Sequence, residues 1–409
     1  MARVLKVVTT LLACLLLFPA ASSSAAARPA HPAGSAVTLL RALFDPRLAG
    51  DDYFGYSAAV SGSVAVIGAP TFNGSGPGNA YIYVKGATGW PRHPTVTLPD
   101  PAAANGDAFG TSVAISGGAI IVGAPGTAST VGAAYLYTEG TAGWPTVPTV
   151  TLADPGQAAG DSFGRSVALA GTTAIVGAPA GQSSSGAAYV YAKGTAGWPA
   201  TPATTLSDPV AGSGDAFGES VAVSGTTAVV DAYHTATFTG AAYLYLKGAA
   251  GWPAVPAVTL HNPRPASFAT FGFAVAVSGT AIVVGAPAPR TPGIAYIYAR
   301  GTSGWPAKPT VTLQDNVTGA AAFGSAVAVS GATAVVGAYQ TFNQTNSGGA
   351  FFYVKGSSGW PAAPTASVAL SSRSGAQDFG AAVAVSGPAA VIGSFGADQA
   401  GGKAYIYQA

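Results

Sequence analysis

The sequence predicts an all-β protein built from seven similar units, and three observations support this fold class. The pair Phe-Gly recurs at steps of roughly 50 residues, a period typical of propellers, solenoids and arrays. Each pair is followed by short runs rich in Val, Ile, Ala and Tyr that are separated by Gly-bearing turns, a pattern typical of β-hairpins. The two ends of the chain each carry part of one unit. The seven pairs begin at Phe54, Phe109, Phe163, Phe217, Phe271, Phe323 and Phe379.

The third unit illustrates the predicted elements. Strand a covers Ser166–Ala170 and strand b covers Ala174–Val176, with a Gly-bearing turn between them. Strand c covers Gly186–Ala192, and strand d lies near Ala203–Leu206. Four short strands joined by hairpins form one antiparallel sheet. Because the strands are apolar on both faces, we expect each sheet to be covered on both sides by a neighbouring sheet.

The chain ends predict a closed ring. A strand-like segment at 37–43 precedes the first Phe-Gly pair, whereas the chain finishes in a strand c at 403–407 with no strand d after it. Pairing these two segments completes the last unit and removes exposed sheet edges. We therefore predict a seven-bladed β-propeller of four-stranded antiparallel blades, closed by pairing of 37–43 with 403–407.

The N-terminus predicts export. Arg3 and Lys6 precede an apolar run from Val7 to Phe18, and small residues follow up to Ala27, as in a signal peptide. We expect a signal peptide at 1–27, a disordered linker at 28–36 and a single propeller domain at 37–409. Cleavage near Ala27 would release a secreted protein. Lipid modification of the single cysteine, Cys14, is an alternative that the apolar run beyond it disfavours.

Composition excludes several classes of partner. Only 8% of residues are charged, and 17 basic residues stand against 15 acidic ones, so a nucleic-acid partner is not expected. Beyond the N-terminus no apolar stretch approaches the roughly 20 residues of a membrane span. We also expect a monomer.

The repeated unit resembles a known family. Phe-Gly is followed in the same unit by Gly-Ala-Pro, at Gly68–Pro70, Gly123–Pro125, Gly177–Pro179 and Gly285–Pro287. This pattern resembles the FG-GAP repeat, which forms the N-terminal propeller of integrin α subunits, and it looks most like the branch found in bacterial secreted proteins. The resemblance implies a propeller that serves in binding or adhesion.

One departure from that family concerns calcium. Several integrin-type repeats carry a calcium loop rich in Asp between strands a and b. Here the corresponding turns contain no carboxylate, as in Ala170-Gly171-Thr172. Since calcium takes six to eight oxygen ligands, usually with several carboxylates, we predict no metal in these turns and no cofactor.

Two repeated residue types admit both a structural and a functional interpretation. Aspartates occur in the loops between strands d and a, where they either cap turns or form acidic pairs for a metal or for acid–base chemistry. Their recurrence favours turn capping. Tryptophan recurs in Gly-Trp pairs, where it either stacks on sugars or covers the blade edge, and the structural interpretation is favoured. The residues are Asp45, Asp52, Asp100, Asp107, Asp154, Asp161, Asp208, Asp215 and Asp315, and Trp90, Trp144, Trp198, Trp252, Trp305 and Trp360.

The candidate ligand-binding residues lie where the repeat is broken. In the fourth unit Gly-Ala-Pro becomes Asp231-Ala232-Tyr233, followed by His234, and in the sixth unit it ends in Tyr339. Asp231, Tyr233, His234 and Tyr339 are therefore the predicted site, with sequence drift in a tolerant loop as the alternative. No catalytic residue is assigned.

The sequence favours a secreted, non-catalytic binding or adhesion propeller. Its partner, an unknown protein or glycan, is expected on the face that carries the b–c and d–a loops. A secreted hydrolase and a carbohydrate-binding lectin are the alternatives. The hydrolase alternative would rely on Asp231 and His234, and the lectin alternative on the tryptophans.

Overall fold

The structure is a computed structural model. It describes residues 37–47, 52–72, 76–127, 131–180, 185–210, 212, 214–265, 269–288, 293–315, 322–339, 348–370, 378–396 and 401–409. The predicted signal peptide and linker lie outside the described residues.

Within the described residues, twenty-eight strands form seven four-stranded antiparallel sheets, so the predicted seven-bladed fold is confirmed. In each of the first six blades the strands a, b, c and d pair in sequence order. Blade 1 consists of β2 (Ser57–Ser61), β3 (Val64–Ala69), β4 (Asn79–Val84) and β5 (Val96–Pro99); blade 2 of β6 (Ser112–Ser116), β7 (Ala119–Ala124), β8 (Ala133–Thr138) and β9 (Val150–Ala153); blade 3 of β10 (Ser166–Ala170), β11 (Thr173–Ala178), β12 (Ala187–Ala192) and β13 (Thr204–Ser207).

The second half of the chain repeats the arrangement. Blade 4 consists of β14 (Val221–Ser224), β15 (Thr227–Ala232), β16 (Ala241–Leu246) and β17 (Val258–His261), with a four-residue helix α1 (Thr235–Phe238) between β15 and β16; blade 5 of β18 (Ala274–Ser278), β19 (Ala281–Ala286), β20 (Ile294–Ala299) and β21 (Val311–Leu313); blade 6 of β22 (Phe323–Ser330), β23 (Thr333–Ala338), β24 (Gly349–Val354) and β25 (Ala366–Ala369).

The seventh blade joins the two ends of the chain, as the sequence predicts. It consists of β26 (Val383–Ser386), β27 (Ala389–Ser394), β28 (Lys403–Gln408) and β1 (Thr38–Phe44). Strand β1 lies antiparallel to β28, with Thr38 opposite Gln408 and Phe44 opposite Lys403. The first strand of the chain therefore takes the place of the missing strand d.

The core lies between neighbouring blades. Between blades 2 and 3, Leu136 and Leu152 of one sheet pack with Phe163, Tyr189 and Trp198 of the next. Burying a side chain of this size contributes roughly 1.5–3 kcal/mol, and a similar layer recurs around the ring. This sheet-on-sheet packing explains why the strands are apolar on both faces.

The Phe-Gly and Gly-Ala-Pro motifs form the joints between blades. Phe163 of blade 3 pairs with Gly132 of blade 2 in a parallel bridge. A Cβ added to Gly123 in blade 2 would lie 2.0 Å from the carbonyl oxygen of Gly164 in blade 3, so only glycine allows this approach. Ser112 completes the joint because its hydroxyl donates a 2.8 Å hydrogen bond to the same Gly164 oxygen. The motif is therefore scaffold.

The b–c and d–a loops share one face of the ring. In blade 2, the backbone N–H of Gly126 in the b–c loop donates to the oxygen of Asp107 in the preceding d–a loop, at 3.0 Å. In blade 4, the N–H of His234 donates to Asp215 in the same manner, at 3.2 Å. We call this the loop face, and the face with the a–b turns the turn face.

Within the described residues, no helix is both long and apolar enough to cross a membrane.

Candidate functional site

A cavity of about 450 Å³ lies on the propeller axis, and we call it the axial pocket. Residues at the beginning of the seven a strands surround it, and Tyr339 and Phe395 from b–c loops also line it. Since each a strand begins after a d–a loop, the axial pocket belongs to the loop face. Its volume falls within the roughly 300–1,000 Å³ typical of small-ligand pockets.

One position of the repeat supplies a different side chain to this pocket from each blade. It is the residue that directly follows Phe-Gly, and we call the seven side chains the post-Phe-Gly residues. The scaffold residues around this position recur from blade to blade, whereas this position carries aromatic, hydroxyl, charged and small side chains. All seven line the axial pocket: Tyr56, Thr111, Arg165, Glu219, Phe273, Ser325 and Ala381.

Two of the post-Phe-Gly residues form an ion pair inside the pocket. Nε of Arg165 in blade 3 donates to Oε1 of Glu219 in blade 4 at 2.7 Å. The Glu219 carboxylate raises the pKa of the Arg165 guanidinium, and the Tyr56 hydroxyl adds to this effect. The Arg165 side chain remains 35% exposed and that of Glu219 18% exposed, so both can reach a ligand.

An aromatic cluster forms another wall. Tyr56 lies against Phe72 and Phe395, with ring centroids 4.9 and 5.3 Å apart respectively. Tyr53 extends this cluster through contacts with the same two phenylalanines. Phe72 is exposed on the loop face. The pocket therefore combines one ion pair with apolar rings, the composition expected of a pocket that recognises a small organic group.

The structure places Asp231 behind the pocket wall. Its side chain is 0% exposed, and its Oδ1 accepts a 2.7 Å hydrogen bond from the N–H of Ser220. Burial, and to a lesser extent the neighbouring Glu219, raise the pKa of Asp231 well above its usual value. Asp231 therefore favours the neutral acid and supports the strand that follows Glu219, without contacting a ligand itself.

The same substitution changes the joint between blades 4 and 5. In blades 1 to 3 a serine hydroxyl donates to the glycine oxygen of the next blade. Ser220 instead accepts a 3.0 Å hydrogen bond from the N–H of Val275 in blade 5. Asp231 stands where the other blades have glycine, and its Cβ would lie 3.3 Å from any Cβ added to Gly272. This joint therefore differs from the repeated one.

The other three predicted site residues take different positions. Tyr339 lines the axial pocket directly. Tyr233 packs edge-on against the pocket residue Phe273, with centroids 5.4 Å apart. The His234 ring lies tilted against Tyr233, with centroids 3.9 Å apart, and its Nδ1 lies 3.1 Å from the oxygen of Gly214 in the d–a loop. Burial lowers the pKa of His234, which favours the neutral ring.

This arrangement does not assemble the pair on which a hydrolase would rely. Asp231 is fully buried and accepts from the N–H of Ser220 at the start of the neighbouring a strand, whereas His234 is directed to a loop carbonyl. In the described part of the chain, no group of three or more His, Cys, Asp or Glu side chains could hold a metal ion.

The aspartates of the d–a loops cap turns. Oδ1 of Asp100 accepts a 3.0 Å hydrogen bond from the N–H of Ala102, and Asp154 does the same for Gly156. Burial raises the pKa of Asp100 to about 7, with a further contribution from Asp107. Asp45 and Asp154 have pKa values raised to about 6, also mainly by burial. These hydrogen bonds fit turn capping, which is the interpretation that the recurrence favours.

The tryptophans pack between blades. Trp144 belongs to the layer shared with Leu98 of the preceding blade and is 8% exposed. Lys193 lies over the ring of Trp198, with Nζ 5.8 Å from the centroid. Little ring surface is left for a sugar, so the structure supports structural cover for these residues.

The sequence reasoning missed Arg165, Glu219, Tyr56 and Phe273. These residues lie inside repeats that are otherwise regular, so no broken motif marks them. A signal was present, however, because the post-Phe-Gly position differs in every unit while its neighbours recur.

Two solved structures align with this chain, and the first of them has a similar fold. A chain in a crystal structure of a mitotic checkpoint complex aligns over 98% of this chain and 99% of its own, with a TM-score of 0.54 and 14% identity. A structure of Sqt1 from Chaetomium thermophilum aligns over 78% of this chain and 72% of its own, with a TM-score of 0.43 and 14% identity. At these identities the likeness concerns the fold alone. No curated protein matches the sequence.

A protein-family model describes the repeats themselves. The model of the FG-GAP repeat matches residues 43–83, 95–137, 148–191, 203–245 and 312–353. Each matched segment contains strands a, b and c of one blade, including the joint residues described above. The chain belongs to the FG-GAP repeat family.

Proposed function

We propose that this protein is an exported, non-catalytic binding propeller that holds its ligand on the loop face, at the axial pocket. One observation carries the proposal: the single repeat position that differs in all seven blades lines this pocket. A scaffold that keeps its joints regular while it varies the side chains at one cavity is organised for recognition there.

The chemistry of the pocket supports binding over catalysis. The Arg165–Glu219 pair is internally neutralised, and the nearby carboxyl group of Asp231 is buried behind the wall. Four aromatic side chains line the pocket together with small aliphatic and hydroxyl residues. Such groups orient a ligand but provide no nucleophile activated by a neighbouring base.

Export and the monomeric state belong to the same proposal. The apolar segment that follows Arg3 and Lys6 supports a signal peptide, and the closed ring leaves no blade without a partner. Mass spectrometry of the protein from culture fluid should show a mature N-terminus near residue 28. An intact N-terminus on cell-associated protein would contradict export.

Retention of native secreted material tests the binding function. The full mature chain, immobilised, should retain a component of the producing organism's extracellular fluid. Tyr339→Ala and Glu219→Gln should lose it, whereas Lys193→Ala, on a residue that lies over Trp198, should keep it. Unchanged retention by both pocket variants, or no retention by the wild type, would contradict the proposal.

A further inference from the structure

The polar groups that the axial pocket offers to a ligand are few. The hydroxyls of Ser57, Ser112 and Ser166 line it but donate to glycine oxygens across the blade joints. The Thr111 hydroxyl donates to the oxygen of Ala108 at 2.7 Å. Besides these, the lining contains the Arg165–Glu219 pair and the tyrosines Tyr56 and Tyr339, and of these groups only the pair is charged.

Because the two charges of this ion pair neutralise each other, the pair determines which ligand charge the pocket favours. Glu219 already neutralises Arg165, at 2.7 Å. An anion drawn to Arg165 would lie beside the Glu219 carboxylate, and a cation drawn to Glu219 would lie beside the guanidinium. A neutral ligand meets neither repulsion, and it leaves the ion pair intact.

The pair still offers donors and acceptors side by side. A guanidinium has five N–H donors in one plane; Glu219 uses the Nε–H and Tyr56 also hydrogen-bonds the Arg165 side chain, so further donors remain. A carboxylate accepts through two oxygens. Adjacent hydroxyl groups, which both donate and accept, fit such a pair and gain from its charge.

The remaining walls suit the apolar face of a sugar ring. Tyr56, Phe273, Tyr339 and Phe395 line the cavity together with small residues such as Ala381. The C–H face of a pyranose is apolar and flat, and it packs on aromatic rings while its hydroxyls remain at the edge. About 450 Å³ accommodates one such ring with part of a second.

The ring of blades also determines the direction from which a ligand enters the axial pocket. Seven a strands surround the cavity, so a long ligand enters from the loop face with one end first. The exposed Phe72 lies beside Tyr56 on that face, where the next unit of a chain would pass.

We propose that the axial pocket binds the terminal unit of a neutral oligosaccharide, with its hydroxyls on the Arg165–Glu219 pair and its apolar face on the aromatic wall. This inference rests on the proposed binding function and names its ligand class. It does not involve the tryptophans.

A glycan array with the full mature chain tests the inference. The array carries oligosaccharides with neutral, carboxylated and amino-bearing terminal sugars, and hits are titrated as free saccharides by calorimetry. Neutral termini should bind. Arg165→Met and Glu219→Gln should each weaken binding about tenfold or more, since each removes a hydrogen bond to a charged group. Lys193→Ala should bind as the wild type does.

The outcomes separate the two proposals. Binding only of charged termini, or neutral binding that both pocket variants preserve, overturns the saccharide proposal. If no glycan binds while extracellular material is still retained through the pocket, the ligand is of another class and only the saccharide proposal fails. If a pocket variant is not folded at the temperature of the titration, Ala381→Trp, which narrows the cavity, replaces it in the same titration.

Discussion

Within the axial pocket, Nε of Arg165 lies 2.7 Å from Oε1 of Glu219, so two neighbouring blades meet through an ion pair beside the propeller axis. Both residues occupy the same position of the repeat in successive blades. Because equivalent positions of successive repeats lie next to each other in the ring, these opposite charges are neighbours although they are 54 residues apart in the sequence.

A double-mutant cycle should detect this pair as a coupling between blades. Arg165→Met and Glu219→Gln should each lower the free energy of unfolding, and the double variant should lose less than the sum. The coupling should be about 1 kcal/mol, because both side chains are partly exposed and solvent screens the pair. Urea unfolding of the four proteins measures it, and strict additivity would show that the pair contributes nothing.

The blade joints with the repeated geometry, unlike the altered joint at Asp231, should tolerate no side chain at the glycine of Gly-Ala-Pro. Gly123→Ala should destabilise the protein by about 1–3 kcal/mol or more, because its Cβ would collide with the Gly164 oxygen. Gly118→Ala is the matched control in the same blade, since its Cβ would meet nothing closer than 3.7 Å. Thermal unfolding compares Gly123→Ala with Gly118→Ala, and equal melting temperatures would contradict the close approach at this joint.

The ring closure should depend on the buried side of the first strand. Leu43 is 0% exposed and packs in the layer shared with Tyr83 and Ile406, whereas Leu39 on the same strand is 48% exposed. Leu43→Ala should therefore cost about 2–5 kcal/mol, and Leu39→Ala about 0.5 kcal/mol or less. Deletion of 37–43 should have the largest effect, and an unchanged melting temperature in that deletion would contradict closure.

Stability should increase as the pH falls from about 8 to about 5. Burial raises the pKa of Asp100 to about 7 and that of Asp45, Asp154 and Asp378 to about 6. A raised pKa in the folded state means that folding binds a proton, so this contribution is complete below the unfolded pKa and is lost as pH rises through 6 to 7. His234, whose pKa burial lowers, opposes the trend as a single group.

Asp100→Asn should flatten this pH dependence. The amide keeps an oxygen for the Ala102 N–H but does not titrate. Glu139→Gln, at an exposed position, is the control and should leave the profile unchanged. Melting temperatures are measured across the pH range for the wild type and both variants. A wild-type melting temperature that rises toward pH 8 would contradict the predicted pH dependence.

Much of the fold was predictable because it is periodic. The repeat of Phe-Gly fixed the number of blades, and the unpaired ends at 37–43 and 403–407 indicated how the ring closes. The absence of a clean polar face on strands such as Ala187–Ala192 indicated sheets covered on both sides. Each of these signals is local in sequence or repeats at one period.

The site was predictable only in part, because it depends on which direction each side chain takes. Tyr339 was singled out from a broken motif and does line the pocket. Asp231 was singled out in the same way, yet its strand register directs it behind the wall, onto Ser220. Arg165 and Glu219 meet across a blade joint, which becomes visible only when residues 54 positions apart are placed next to each other.

The axial pocket as the binding site can be tested by a pair of matched tryptophan substitutions. Ala381 lines the pocket, and Thr172 lies exposed in an a–b turn on the opposite, turn face. Retention of native extracellular material by immobilised protein is measured for Ala381→Trp and Thr172→Trp, both checked for an unchanged melting temperature. If the axial pocket is the binding site, Ala381→Trp abolishes retention and Thr172→Trp preserves it; retention that is kept in Ala381→Trp would contradict it.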